Sequence, residues 1–178
     1  GVGASETMLF ISGTKDCGVN EELFVGAVMA TQGLPNFHVV FSQHPGDQTP
    51  ANRYMSLGGE SRATIVTASA MRGDDAVFGA DIVLTYNDAS LAVASVAMRR
   101  LLVCYYPPKA LARFVSETGS MYNPLVTAGA AYDGGTNPEM LVGTIRHIGH
   151  PWVSIVSNQE AFLPPLELGA GVAAMVAA

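Results

Sequence analysis

Leu23-Phe24-Val25-Gly26-Ala27-Val28-Met29-Ala30-Thr31 is the stretch on which the fold reading turns. It is apolar, free of charge, of strand length and closed by the turn residue Gly33. Similar runs, rich in Val, Ile, Phe, Tyr and Thr, recur on either side of it. They are Met8–Ser12, Phe37–Gln43, Ala63–Met71, Ala80–Asn87, Arg100–Tyr106, Met140–His147 and Trp152–Asn158. Counting Leu23–Thr31 makes eight short segments punctuated by Gly, Pro, Asn or Asp. That pattern predicts an all-β fold, an eight-stranded antiparallel jelly-roll β-sandwich. Several runs alternate imperfectly, as strands buried on both faces do.

Helical signals are fewer. Pro108–Thr118 places Leu111, Phe114 and Val115 on one face, with Pro108 in the first turn and Gly119 as a stop. Asp88–Met98 has an Asp/Ser start and a small-residue body. One or two short helices in loops are therefore expected. The 178 residues are taken as one domain, 1–178, with 1–7 and 161–178 as terminal arms. The loops His44–Arg62 and Thr118–Glu139 are long enough to reach toward partners.

Composition adds a surface argument. Charged residues make up 13% of the chain, against roughly 25% in ordinary soluble domains. Hydrophobic residues make up 49%, which excludes general disorder. No apolar run nears the roughly 20 residues of a membrane helix. Seven Arg stand against two Lys, the bias of protein interfaces. Together these predict a surface covered by other subunits, through Arg53, Arg62, Arg99, Arg100, Arg113, Tyr132, Leu163 and Leu166. Trp152, Tyr105 and Tyr106 are candidate aromatic anchors or core residues. The net charge of −6, without a basic run, predicts at most weak contact with RNA. Cys17 and Cys104 read as reduced thiols. A start at Gly1 fits a product cut from a precursor or a trimmed chain.

No motif yields a catalytic constellation. His147-Ile148-Gly149-His150 matches the tetrapeptide of class I aminoacyl-tRNA synthetases and related nucleotidylyltransferases, but Pro151 and an apolar run follow it, and no βαβ unit is visible around it. A tight turn is the preferred reading. Gly59-Glu60-Ser61-Arg62-Ala63 lacks the strand-before, helix-after context of a nucleophile elbow. Arg72-Gly73-Asp74-Asp75 reads as a turn. His38, His44, His147 and His150 lack ligand spacing. The expectation is accordingly no catalytic residue, no metal and no cofactor.

Two patches carry a family resemblance. Arg100-Leu101-Leu102-Val103-Cys104-Tyr105-Tyr106-Pro107-Pro108 resembles a strand common in capsid proteins of picorna-like viruses. His150-Pro151-Trp152-Val153-Ser154 is similar to a second recurring piece of those proteins. The chain's size resembles the small coat subunits of the como-, nepo- and cheravirus group. The resemblance implies a structural protein and not an enzyme, a polyprotein cleavage product that assembles with itself and sister coat proteins into an icosahedral RNA-virus shell. It places the chain in the virion, and in host cytoplasm during assembly, with no membrane partner. The alternatives are a cupin-like metal-binding enzyme using the four histidines, a nucleotidylyltransferase and a carbohydrate-binding sandwich.

Overall fold

The computed structural model describes residues 6–59, 61–67, 70, 73–87, 89–148 and 152–162. In chain order the elements are β1 (Thr7–Ser12), α1 (Cys17–Thr31), β2 (Phe37–Gln43), α2 (Ala51–Gly58), β3 (Ala63–Thr67), α3 (Gly73–Gly79) and β4 (Ile82–Thr85). They continue as α4 (Ala89–Ala97), β5 (Leu101–Cys104), α5 (Pro108–Thr118), α6 (Pro124–Thr127), β6 (Tyr132–Asp133), α7 (Pro138–His147) and α8 (Trp152–Phe162). All strand pairings are parallel and the sheet order is β3-β2-β1-β4-β5-β6. The protein is an α/β fold, not an antiparallel jelly roll. Parallel neighbours need crossover connections, and helices supply them here.

Five of the eight apolar runs are strands. Phe37–Gln43 is β2 at its expected bounds, β1 begins one residue before its run, and β3, β4 and β5 lie within theirs. Their burial explains the imperfect alternation: every residue of β4 and β5 is buried, as in a sheet covered on both faces. The register is continuous, with Leu9, Phe10 and Ile11 opposite Val39, Val40 and Phe41 on one side and Ile82, Val83 and Leu84 on the other.

The other three runs are helices, and α1 decides the fold class. Leu23–Thr31 is the second half of α1, whose Val19, Leu23, Phe24, Gly26, Ala27, Val28 and Ala30 are all buried. α1 packs on β1 and β2, and also on α2, α5 and α7. A helix covered on most sides needs no polar stripe, so its apolar period vanishes and the residues read as a strand. Met140–His147 falls in α7 and Trp152–Asn158 in α8. The expected helices hold: α5 is Pro108–Thr118 as read, with Gly119 left-handed at its C-cap, and α4 lies inside Asp88–Met98. The loop His44–Arg62 contains α2, and Thr118–Glu139 contains α6 and β6. Of the expected arms, Glu6 leads into β1, Thr7 is its first residue, and Ala161 and Phe162 close α8; the rest lie outside the described residues. Among the described residues no helix is long and apolar enough to cross a membrane.

The strand order carries the functional consequence. From β1 the chain winds outward through β2 and β3, then returns and winds the other way through β4, β5 and β6. At the β1/β4 junction the loops leaving the two strands part in opposite directions. A crevice opens there, beyond the carboxyl ends of the strands.

Candidate active-site cleft

A cleft of about 690 Å³ lies at this junction, lined by residues from five places in the sequence. The β1–α1 connection supplies Gly13, Thr14 and Lys15; His44 follows β2; Thr85 ends β4 and Tyr86 and Asn87 follow it; Ser90 opens α4; Arg113 and Glu117 come from α5. Gly13 is required by crowding, since a Cβ there would meet the Ser42 carbonyl oxygen at 2.6 Å. α1 and α4 both start at this end of the sheet, so the positive ends of their dipoles lie toward the crevice. Asp16 takes up part of that field at α1, its carboxylate accepting from the Gly18 and Val19 N–H groups.

The charged groups differ in how far they are committed. The Arg113 guanidinium donates to Glu117 Oε1 at 2.7 Å and reaches Asp16 Oδ2 at 3.4 Å. Asn87 Nδ2 donates to Glu117 Oε2 at 2.7 Å. The Arg113 bond, helped by Asn87, holds the Glu117 carboxyl below the usual carboxylate range. Lys15 and His44 are exposed on the two loops that face each other across the rim. His44 Nδ1 accepts from the Gly46 N–H at 2.9 Å, so the neutral ring carries its proton on Nε2. Burial pushes the Tyr86 phenol up and keeps it neutral beneath the cleft.

Two further hollows lack this chemistry. One of about 600 Å³ sits at the opposite, amino end of β2 and β3, between Val28, Met29, Leu34, Phe37, Leu57 and their neighbours. One of about 280 Å³ lies between β6 and α7, beside Asp133, Thr144 and His147.

The structure disperses the residues expected at interfaces. Arg53 pairs with Glu21; Arg62 pairs with Glu6 and donates to the Pro35 carbonyl. Arg99 sits between α4 and β5 at a φ of 56°, donating to the Val96 carbonyl with Glu160 at 3.9 Å. Arg100 lies over the Phe78 ring and bonds the Phe78 carbonyl. Tyr132 is on the edge strand β6; Leu163 and Leu166 lie outside the described residues. Among the described residues of that set only Arg113 lines the cleft. Tyr105 and Tyr106 are core residues, and Trp152 belongs to α8. The thiols are free, Cys17 exposed and Cys104 buried, where burial pushes Cys104 up to about 12.

The described histidines do not converge. His38 starts β2 and bonds Thr64 Oγ1 at 2.8 Å, while His44 follows the same strand, about 20 Å further along at strand rise. His147 ends α7, its Nδ1 bonded to the Gly143 carbonyl at 2.6 Å. Gly149 and His150 lie outside the described residues. Among the described residues no group of three or more His, Cys, Asp or Glu could hold a metal. The cupin alternative falls with the β-sandwich. The His147 tetrapeptide begins at a helix end, not at a helix start after the first strand, so the nucleotidylyltransferase reading gains nothing.

The overlooked signal was Gly13-Thr14-Lys15-Asp16-Cys17-Gly18, directly after β1 and opening α1. A dinucleotide fingerprint has glycines at its first, third and sixth positions; here the third is Lys15. That missing glycine made the turn unremarkable by motif, and its replacement puts a cation at the rim.

No sequence-family model matches the chain, and no curated protein matches it by sequence. Its shape does match solved structures. A co-structure of S. aureus MnaA with UDP aligns at a TM-score of 0.64 and 10% identity, over 96% of this chain and 45% of that one. The UDP-GlcNAc 2-epimerase from Neisseria meningitidis bound to UDP-GlcNAc aligns at 0.59 and 9%, over 99% and 46%. CalG4, the calicheamicin glycosyltransferase, aligns at 0.61 and 15%, over 90% and 39%. The shared fold is Rossmann-like, with a parallel sheet. The chain thus spans less than half the length of each neighbour. This overturns the viral-capsid resemblance, and with it the jelly roll, the coat-protein partners, the virion location and the purely structural role. The Tyr105-Tyr106-Pro107-Pro108 patch is the exit of a parallel strand into α5, a local likeness without the antiparallel frame.

Proposed function

We propose that this chain is the nucleotide-binding Rossmann-like unit of an enzyme acting on nucleotide-activated sugars, by epimerisation or glycosyl transfer. The carrying observation is the cleft at the β1/β4 junction, where two helix starts, Lys15 and His44 converge. A diphosphate needs N–H donors and cations at one place, and a helix start beside a lysine supplies both. In this reading the start of α4, with Ser90, receives a phosphate. Lys15 and the His44 Nε2–H donate to its free oxygens. Asn87 and Glu117 face hydroxyl groups of the ribose or the sugar, each Glu117 oxygen keeping one free lone pair beyond its present bond. The neighbours named for UDP-GlcNAc epimerisation and for glycosyl transfer support the substrate class through fold.

The test is a thermal-melt panel on the whole chain with UDP, UDP-GlcNAc, inorganic pyrophosphate and NAD⁺. Ligand bound to the native state raises the melting temperature in proportion to ln(1 + [L]/Kd). UDP and UDP-GlcNAc are expected to stabilise and NAD⁺ not to. Stabilisation by NAD⁺ alone, or by none of the four, overturns the proposal.

A further inference from the structure

Beneath the cleft lies a buried polar cluster that touches none of its open space. Asn20 on α1, Asp47 in the β2–α2 connection and Tyr54 on α2 are 0%, 7% and 0% exposed. Buried polar groups survive only when their partners are in place, and here they are. Asn20 Oδ1 accepts from the Thr14 N–H at 2.7 Å. Asn20 Nδ2 donates to the Thr14 carbonyl at 2.7 Å and to Asp47 Oδ2 at 2.8 Å. Tyr54 donates to the same oxygen at 2.5 Å, and the Thr49 N–H to Asp47 Oδ1 at 2.9 Å. Gln43 Nε2 closes the connection by donating to the carbonyls of Asp47 and Thr49. Burial alone would raise the Asp47 carboxyl, but the bonds from Thr49, Tyr54 and Asn20 outweigh it and hold the group below its ordinary value.

The cluster joins the two loops that carry the rim cations. Asn20 grips Thr14, next to Lys15; Asp47 grips the segment whose first residue is His44, its own N–H donating to the His44 carbonyl at 2.9 Å. The loops meet at Gly46, where a Cβ would stand 3.2 Å from Lys15 Cβ and 3.2 Å from His44 Nδ1. The Gly46 N–H then bonds His44 Nδ1, and that bond fixes which ring nitrogen keeps the proton.

We infer that Asn20, Asp47 and Tyr54 are positioning residues of the cleft: they lock the Lys15 loop to the His44 loop and set His44 to present Nε2–H to a ligand. A plain packing cluster would hold the fold but leave the His44 tautomer and ligand affinity indifferent to its chemistry. The affinity part of this inference rests on the nucleotide reading above; the tautomer part does not.

The experiment uses the whole chain, with Tyr54→Phe as the conservative variant and Asp47→Asn as the stronger one. The His44 tautomer is read by long-range ¹H–¹⁵N correlation, and UDP affinity by calorimetry. Wild type is expected to show the Nε2–H form. Tyr54→Phe is expected to keep a cooperative melt, move His44 to a mixture of tautomers and weaken UDP by up to about ten-fold, the ceiling reached if the full energy of one lost buried bond is felt at the cleft. Asp47→Asn is expected to do more of both. If wild type binds no UDP, the nucleotide reading fails and the tautomer alone decides. An Nδ1–H form in wild type, or an unchanged tautomer in a folded Tyr54→Phe chain, overturns the inference.

Discussion

The two ends of the sheet offer hollows of similar size and opposite character. At the carboxyl end the cleft of about 690 Å³ gathers Lys15, His44, Asn87, Arg113 and Glu117 around two helix starts. At the amino end the groove of about 600 Å³ is bounded by the carbonyl ends of α1 and α2 and by Val28, Met29, Leu34 and Leu57. Volume does not separate them; strand polarity does. Parallel strands deliver helix starts to one end and helix stops to the other, so only one end offers an anion N–H donors and a favourable dipole.

The sharpest break in this comparison comes from its glycines. Gly13→Val forces a branched side chain against the Ser42 carbonyl and the Phe41 ring, and is expected to cost about 2–4 kcal/mol with loss of UDP binding. Gly33→Ala, at the amino-end groove, meets open space; its φ of +79° costs about 1 kcal/mol and leaves affinity alone. Urea unfolding and calorimetry on both variants read the contrast directly.

Asp47→Asn comes next, at about 2 kcal/mol at pH 7. The folded carboxyl lies below its unperturbed 3.8, so its contribution is present above that pH and lost as the pH falls through the lower folded value. Urea midpoints of variant and wild type should therefore converge in acid. A gap independent of pH would mean the bonds to Asp47 do not depend on its charge.

A smaller effect is expected at the rim. Lys15→Ala should weaken UDP about ten-fold, the size of one charge-assisted bond, with no change in melting temperature. Ser56→Trp, which crowds the opposite groove, should leave UDP affinity as it was. Equal effects of the two would erase the distinction between the ends. Smallest is Arg113→Ala: the Glu117 carboxyl returns toward 4.5, and the stability lost above that pH is at most about 0.5 kcal/mol because the pair is largely hydrated. Chemical-denaturation curves at pH 3 and pH 7 measure it.

The same contrast runs through what the sequence discloses. α5 was legible because half of it is wet: Phe114 is buried while Ala112, Ser116 and Glu117 are exposed, so its period survives. α1 was not, because α2, α5 and α7 cover it along with the sheet. Reading it as a strand, together with the runs in α7 and α8, turned five parallel strands into eight antiparallel ones. The low charge that suggested a covered surface also describes this core-rich fold, with strands hidden on both faces and a buried crossover helix. At the site, Arg113 was singled out for its residue type and Glu117 stands four residues on along the same helix, but Lys15 and Asn87 come from separate elements that no spacing rule links. Only the strand order brings them together. Asp47 and Tyr54 were invisible for the same reason, although Gly13-Thr14-Lys15-Asp16 after an apolar run was a signal within reach.

The carboxyl end of the sheet is proposed as the ligand end. Backbone amide shifts of the ¹⁵N-labelled chain titrated with UDP test that most directly. The expected result is saturable change at Thr14–Cys17, around His44–Thr49 and at Thr85–Ser90. Changes clustered instead at Met29–Phe37 and Leu57–Arg62, or none at all at saturating UDP, would contradict it.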